Sequence, residues 1–144
     1  MLNRMLELAA NAHSGQYDKS GKSYILHCLT VMNYLETEDE ELMCIALGHD
    51  IIEDTYVTED GLRFLGFSER VISGIVALTK HKGQTYEEYK MAVKSNDDAV
   101  RVKLCDLRHN SDIRRLKGVS DKDLARLKRY HEFYMELKDK LNNK

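Results

Sequence analysis

Four histidine and aspartate side chains interrupt apolar helical patterns in this sequence. They are His27 in YILHCLTVMNYL, His49 and Asp50 in LMCIALGHDIIED, and Asp106 in VRVKLCDLRHN. An ionised aspartate that is buried without a partner is very unstable, so it must be neutralised, paired or bound to a metal. Together the four side chains offer two nitrogen and two oxygen ligands, which suit a divalent ion such as Mn²⁺, Zn²⁺ or Fe²⁺.

Two further carboxylates follow the histidine–aspartate pair one helical turn later. Glu53 lies four residues after His49, and Asp54 lies four residues after Asp50. A continuous helix would place these side chains in two adjacent stripes. Carboxylates packed in this way repel one another, and a bound cation relieves the repulsion. The segment HDIIED therefore strengthens the prediction of a metal site.

Each of these residues also has an ordinary structural interpretation. A single histidine in an apolar helix, such as His27, is more often a hydrogen-bonded core residue than a metal ligand. Asp106 alone would be explained by an ion pair with Arg101 or Arg108. The metal-site interpretation therefore depends on the complete set of side chains, and above all on HDIIED.

The elements that must position these residues are predicted to be α-helices. The chain of 144 residues contains no proline and lacks strand-like alternation, whereas apolar residues recur at helical spacing along it. A central helix is predicted to begin at a capping box of Thr37 and Glu40 and to continue through Ile52. Later helices are predicted to begin after Thr58, Ser68, Thr85 (with Glu88) and Ser120 (with Asp123). These signals predict an all-α bundle of about seven to nine helices, in one domain spanning residues 1–144.

Composition and charge argue against several classes of protein. The 24 acidic and 22 basic residues give a net charge of −2, whereas proteins that bind nucleic-acid duplexes usually carry a basic excess. No apolar run is long enough to span a membrane, and the start of the chain lacks the apolar core of a signal peptide. The three cysteines lack CxxC spacing and do not indicate a disulfide framework. We expect a cytoplasmic protein with a small-molecule ligand and no nucleic-acid or membrane partner.

The motifs follow the order of a known family. The sequence resembles HD-domain hydrolases of the RelA/SpoT type in four segments: AHSGQYDKSGKSYILH (12–27), ALGHDIIEDT (46–55), FLGFSERVISGIVALTK (64–80) and VKLCDLRHN (102–110). These enzymes remove the 3′-pyrophosphate from ppGpp and pppGpp, the alarmones of the stringent response. The resemblance covers most of the chain and implies an HD-domain helical bundle that acts as a small stand-alone hydrolase.

The resemblance also implies roles for individual residues. The family's metal-ligand positions are occupied by His27, His49, Asp50 and Asp106, and the family metal is usually Mn²⁺. Glu53 and Asp54 fall on the acidic pair that activates or orients the attacking water, while Lys19 and Asn110 fall on nucleotide-binding positions. The implied reaction is attack of water on a phosphorus atom without a covalent enzyme intermediate. His109 points about 100° away from Asn110 on a helix, so we expect it at the rim of the site or in solvent.

The sequence departs from the family pattern at three places. Asp18 stands where many relatives have a basic residue that packs on the purine base. Cys28 replaces a proline, and residues 111–113 replace a Met-Arg-like run. The metal and acidic positions are intact, so these departures concern recognition of the base. The nucleotide is therefore open between guanine and adenine.

Two other functions are consistent with the same residues. A phosphomonoesterase acting on nucleotides, including NADPH, would release orthophosphate instead of pyrophosphate. A nucleotide-binding sensor without catalytic activity would use the same fold, although the retained Glu53 and Asp54 argue against it. The tyrosines of the last helix can bury against a second subunit, so the sequence also leaves a homo-oligomer open.

Overall fold

The predicted all-α fold is confirmed by a computed structural model that describes residues 1–143. The last residue of the predicted domain, Lys144, lies outside this range. The described residues form nine α-helices and one 3₁₀ helix, Ile113–Arg115. The α-helices are α1 (Leu2–Ala12), α2 (Ile25–Tyr34), α3 (Glu40–Leu47), α4 (Ile51–Asp54), α5 (Glu59–Phe64), α6 (Glu69–Ala77), α7 (Tyr86–Lys94), α8 (Asp97–Asn110) and α9 (Asp121–Asn142). None of these described helices is both long enough and apolar enough to cross a membrane.

Side-chain caps define where the later helices begin. Thr58 caps α5 and Ser68 caps α6, as predicted. The predicted capping boxes Thr85–Glu88 and Ser120–Asp123 are both present at the starts of α7 and α9. A cap of this kind contributes about 1 kcal/mol, because it satisfies backbone N–H groups that have no partner within the helix. The short polar segments between helices therefore encode the boundaries.

The predicted central helix is wrong at both of its ends. Asp39, not Thr37, is the N-cap of α3, and its side chain accepts a hydrogen bond from Leu42 N at 3.3 Å. The Thr37 hydroxyl instead accepts a hydrogen bond from Asp39 N at 3.1 Å, which forms a turn before the helix. The helix also ends at Leu47, and a turn at residues 48–50 separates it from α4.

Close packing around Gly48 accompanies this turn, and the turn brings two side chains of the site together. A Cβ atom at Gly48 would lie 2.9 Å from Ile75 Cδ1 and 3.1 Å from Met5 Sδ, so a larger residue would force these side chains of α6 and α1 to shift. In a continuous helix, His49 and Asp50 would project about 100° apart. The turn instead brings His49 Nε2 to 3.0 Å from Asp50 Oδ2.

Helix α3 lies at the centre of the bundle, as its apolar sequence predicted. Residues 44–47 are fully buried, and α3 packs against α1, α2, α6 and α8. Helix α8 in turn packs against α2 and α9. The chain therefore brings three segments to one place: the first turn of α2, the turn after α3, and the second half of α8.

Candidate metal centre

The four predicted metal-ligand side chains converge between these three segments. One ligand atom from each of His27, His49, Asp50 and Asp106 lies within 4.8 Å of all the others. Asp106 Oδ1 is 2.9 Å from His27 Nε2 and 3.3 Å from His49 Nε2. Adjacent ligand atoms that bind one ion at about 2.1 Å are expected to lie about 3 Å apart. The spacing therefore suits a single divalent ion.

The orientation of His49 provides a direct test of whether these residues fit a metal. His49 Nδ1 lies 2.7 Å from Ala46 O, and because a carbonyl oxygen only accepts, Nδ1 must donate. Neutral His49 therefore has its lone pair on Nε2, a buried atom that forms no hydrogen bond among the described residues. That lone pair faces carboxylate oxygens of Asp50 and Asp106 at 3.0 and 3.3 Å. The arrangement is repulsive without a cation, so the donor set fits a divalent metal ion.

The raised pKa of His49 also indicates that the cluster favours positive charge. Burial lowers the pKa of His49, but the charges of Asp50 and Asp106 outweigh burial and raise the pKa well above its usual value. In the protein without a metal, His49 is thus protonated, and its positive charge stabilises the two carboxylates. A metal ion would take the place of that proton.

Two side chains hold the Asp106 carboxylate in its orientation. Its Oδ2 accepts a hydrogen bond from Lys103 Nζ at 2.9 Å, and its Oδ1 accepts one from Asn110 Nδ2 at 3.0 Å. Burial opposes ionisation of Asp106, but the charges of Lys103 and His49 outweigh it and hold the pKa well below the usual range. The ion-pair partner of Asp106 is thus Lys103, and neither of the two arginines considered from the sequence takes that place.

His109, which we expected at the rim of the site or in solvent, is partly buried and contacts a proposed metal ligand. His109 Nδ1 lies 2.7 Å from His27 Nδ1, and the two ring planes are inclined by only 14°. The side chain turns away from Asn110 and toward α2, which packs against α8. Sequence spacing gave its direction around α8 and could not identify the neighbouring helix.

The contact between the two rings allows an arrangement that leaves Nε2 of His27 free for a metal. Two ring nitrogens at this distance share one proton, so one donates and the other accepts. Burial and then the charge of Arg115 lower the pKa of His109 to about 4, so its ring is neutral near pH 7. When His27 Nδ1 donates to His109, the lone pair of His27 lies on Nε2 and faces the cluster. Partners of this kind commonly orient metal-binding histidines.

Tyr24 is a second residue of the site that the sequence interpretation missed. Its hydroxyl donates a hydrogen bond to Asp50 Oδ2. Tyr24 precedes His27 by three residues, so both rings lie on one face at the start of α2, with centroids 5.3 Å apart. Burial and then the charge of Asp50 raise the pKa of Tyr24, which keeps its hydroxyl protonated as a donor. The i, i+3 spacing from His27 was the available signal.

Glu53 and Asp54 lie beside the cluster, but their surroundings differ. Oxygen atoms of Asp50, Glu53 and Asp54 lie within 4.8 Å of one another. Partial burial, followed by the charges of Asp50 and Glu53, raises the pKa of Asp54 to about 6. Glu53 Oε1 instead accepts a hydrogen bond from Lys80 N at 2.6 Å. Asp54 therefore has a raised proton affinity, and a backbone hydrogen bond holds Glu53 in place.

A pocket of about 240 Å³ opens next to the cluster. Lys19 and Asn110, the two predicted nucleotide-binding residues, both line it. Tyr24 and Asn110 belong to the pocket wall and also bind Asp50 and Asp106, so the pocket adjoins the cluster directly. The structure thus brings the predicted phosphate-binding and metal-binding residues together.

Asp18, the main departure from the family pattern, is fully engaged within the protein. Its carboxylate accepts hydrogen bonds from Ser20 N at 2.9 Å, Lys22 N at 3.0 Å and Arg115 Nη2 at 3.0 Å. Burial opposes its ionisation, but these hydrogen bonds outweigh burial and lower the pKa of Asp18. Arg115 also donates to Asn110 Oδ1 at 3.2 Å, which links the loop to the end of α8. Arg115 therefore balances the negative charge in the pocket wall.

Curated proteins similar to this chain include enzymes of alarmone metabolism. The chain is 33% identical over 115 residues to a guanosine-3′,5′-bis(diphosphate) 3′-pyrophosphohydrolase of Haemophilus influenzae, covering 72% of this chain and 17% of that protein. It is 32% identical over 134 residues to a GTP pyrophosphokinase of Myxococcus xanthus, covering 83% of this chain and 17% of that protein. The chain therefore spans only about a sixth of the length of these relatives. No family model matches the sequence.

A solved structure shows the same fold over almost the whole chain. It is a metazoan ortholog of SpoT that is described as hydrolysing ppGpp. The two structures superpose with a TM-score of 0.77 at 22% identity, covering 99% of this chain and 92% of the other. The predicted resemblance is thus confirmed by both comparisons. In sequence and in fold, the chain is a relative of the HD-domain hydrolases of the RelA/SpoT type.

Proposed function

We propose that this protein is a metal-dependent 3′-pyrophosphohydrolase of (p)ppGpp or of a closely related nucleotide alarmone. The observation that carries the proposal is the orientation of His49, whose Nδ1 contacts Ala46 O and whose Nε2 faces Asp50 and Asp106 beside the pocket that Lys19 and Asn110 line. Relatives named as 3′-pyrophosphohydrolases support this substrate class. The reaction fits a cytoplasmic protein whose single domain spans residues 1–144.

The proposed metal ligands are His27 and His49 through Nε2, with Asp50 and Asp106 through their carboxylates. Mn²⁺ is the proposed ion, because mixed imidazole and carboxylate ligands suit it; other divalent transition metals share this preference. When bound, such an ion neutralises phosphate charge and lowers the pKa of water. Tyr24, Lys103 and His109 hold Asp50, Asp106 and His27 in the orientations that this role requires.

Asp54 is the proposed acceptor for the proton of the attacking water. With a pKa of about 6, its carboxylate is ionised near neutral pH and still has substantial affinity for a proton. Glu53 is the proposed orienting group, because the hydrogen bond from Lys80 N fixes one of its oxygen atoms. Water attacks the phosphorus directly in this scheme, and no side chain forms a covalent intermediate.

Lys19 and Asn110 are the proposed substrate-binding residues. Lys19 is exposed on the pocket wall and supplies a mobile positive charge for a phosphate oxygen. Asn110 uses one N–H to bind Asp106 and its amide oxygen to bind Arg115. One N–H of Asn110 is left for the nucleotide, since an amide nitrogen has two donors.

The Asp18–Arg115 pair favours one second candidate, a phosphomonoesterase that acts on nucleotides such as NADPH. Asp18 occupies the place of a base-packing cation, and its partner Arg115 is already engaged with Asn110. Recognition of the purine base must therefore differ from that in relatives with a basic residue here. The phosphate chemistry of the cluster would be unchanged, but the leaving group would be orthophosphate.

The products formed from ppGpp distinguish these functions. The wild-type protein, loaded with Mn²⁺, is incubated with ppGpp, and pyrophosphate, orthophosphate and GDP are measured separately. We expect pyrophosphate and GDP in equal amounts. The matched control is the double variant Glu53→Gln/Asp54→Asn, which should keep its metal and its helical spectrum but lose turnover. Full activity in this variant would refute the roles of the acidic pair. Absence of product with metal bound would refute ppGpp hydrolysis, and release of orthophosphate from NADPH would establish the second candidate.

A further inference from the structure

A second cluster of cationic and aromatic side chains lies on the other side of α8. Arg101 and Arg108 are rotated by about 140° and 160° around α8 from Asp106, so they face away from the metal ligands. With Lys138 of α9 and the rings of Tyr34 and Tyr134, they line a groove of about 390 Å³. This α8–α9 groove shares no lining residue with the pocket beside the metal ligands.

The three cations of the α8–α9 groove have no acidic partner among the residues that the structure describes. Within residues 1–143, no carboxylate oxygen lies within 4.0 Å of the charged nitrogens of Arg101, Arg108 or Lys138. Glu36 also lines the groove but pairs with none of them. By contrast, Arg70 binds Asp39, Glu41 and Asp98 on another face of the protein. The groove thus gathers three cations without carboxylate partners among the described residues, in a chain whose net charge is −2.

The groove combines this charge with aromatic and apolar surface. The Arg108 guanidinium lies over the ring of Tyr34, with Cζ 3.9 Å from the ring centroid. A stacked guanidinium keeps its N–H groups free at its edge, where they can bind a phosphate. The half-buried ring of Tyr134 and the side chain of Leu104 add a surface against which a flat ring can pack. A volume of this size lies within the range of small-molecule sites.

We propose that the α8–α9 groove is a second nucleotide-binding site. Arg101, Arg108 and Lys138 bind the phosphates, and the rings of Tyr34 and Tyr134 contact the base. A nucleotide is the ligand class that carries both multiple negative charges and a flat aromatic ring. The proposal does not depend on the reaction proposed above, because none of these residues belongs to the metal cluster or its pocket.

The position of Tyr34 connects this groove with the metal cluster. Its ring lies against the ring of His109, with centroids 6.0 Å apart and planes inclined by 81°. His109 in turn contacts His27 through the pair of Nδ1 atoms. A nucleotide in the groove would therefore lie two rings away from a proposed metal ligand.

The test is a titration of the ¹⁵N-labelled full chain with GDP, followed by backbone amide shifts in NMR spectra. The groove reporters are Glu36 and residues 138–141, which do not line the other pocket. We expect saturable shifts at these amides, separate from any shifts at Lys19 and Asn110. A titration with inorganic pyrophosphate should saturate at higher concentration, because pyrophosphate lacks a base. Absence of saturable shifts at the groove reporters, or equal affinity for pyrophosphate and GDP, would overturn the proposal.

A double variant with reversed charges tests whether the nucleotide binds in the α8–α9 groove. Arg101→Glu/Lys138→Glu should weaken GDP binding at the groove reporters roughly tenfold or more, because two charge-assisted contacts are lost. The matched control is Lys128→Glu/Arg129→Glu, which changes the net charge equally on an exposed part of α9 and should leave binding unchanged. Equal weakening in both variants would overturn the proposal in favour of non-specific attraction. If the first variant does not fold, Arg101→Gln/Lys138→Gln provides the same comparison with a smaller change.

Discussion

The metal cluster and the adjacent loop that carries Asp18 satisfy their negative charges in opposite ways. In the cluster, Asp50 and Asp106 both face Nε2 of His49, so that nitrogen needs either a proton or a bound metal ion between the carboxylates. In the loop, Asp18 is balanced within the protein by Arg115 and by backbone N–H groups. The carboxylates of the cluster therefore favour a bound metal ion, whereas the charge of Asp18 in the loop is already balanced by groups of the protein. Chemistry and substrate choice are thus carried by separable parts of one site.

The largest effect is expected from removing Asp106. Asp106→Ala deletes a proposed metal ligand and also leaves the Lys103 ammonium buried without its partner. Breaking a buried ion pair from one side typically costs about 3–5 kcal/mol, so we expect a large loss of stability as well as of metal binding. Urea unfolding measures the first and metal titration the second. Asp18→Ala is the comparison in the loop and should leave metal affinity intact. An Asp106 variant that retains both its stability and its metal affinity would contradict the proposed difference between the cluster and the loop.

The pH dependence of turnover is the next largest effect. Burial and the neighbouring carboxylates place the pKa of Asp54 at about 6, and the proposed role requires its ionised form. Activity should therefore be full above this pKa and fall about tenfold for each pH unit well below it. The profile of kcat against pH measures this limb. Asp54→Asn should remove the limb along with most of the activity, whereas Glu53→Gln should keep the limb and shift it to lower pH, because the charge of Glu53 raises the pKa of Asp54.

A moderate effect is expected from His109, for which the sequence predicted a place at the rim of the site or in solvent. His109→Phe keeps a ring against Tyr34 but removes the acceptor for His27 Nδ1. We expect about 10–100-fold weaker metal binding, as is typical when the hydrogen-bond partner of a metal-binding histidine is lost. His109→Asn offers an acceptor oxygen and should recover part of the affinity. Equal affinity in all three proteins, measured by metal titration, would show that the contact does not orient His27.

The smallest effect is expected from Arg115, on the loop side of the comparison. Arg115→Met removes the ion pair with Asp18 and the hydrogen bond to Asn110. We expect a several-fold rise in KM with little change in kcat or metal affinity, because only the pocket wall is loosened. Steady-state kinetics with metal titration measures this split. A fall in kcat that matches the rise in KM would place Arg115 in the chemistry and weaken the comparison.

The convergence of His27, His49, Asp50 and Asp106 could be predicted from the sequence because charged residues stand out in apolar helices. His49, Asp50 and Asp106 each break a buried pattern, and burial without a partner implies a ligand or a charge partner. Capping residues likewise gave the starts of four of the nine described α-helices, α5, α6, α7 and α9. Both signals are local, since they depend on a few neighbouring residues and on helical spacing.

The supporting residues could not be predicted, because their roles depend on which helices become neighbours. His109 faces His27 only because α2 packs on α8, and Tyr24 reaches Asp50 only because a turn follows α3. That turn contains Gly48, and its close contacts with Ile75 and Met5 cannot be read from a helical sequence pattern. Local propensity favoured a continuous helix there, and tertiary packing prevailed.

Direct titration of the metal-free protein with Mn²⁺ tests the central claim most directly. We expect one saturable Mn²⁺ site per chain. Protons should be released on binding, because the ion displaces the proton of His49. His49→Ala should lose this site, whereas Asp18→Ala should keep it with unchanged affinity. A protein that binds no divalent ion stoichiometrically, or a His49 variant that binds Mn²⁺ as tightly as the wild type, would contradict the account.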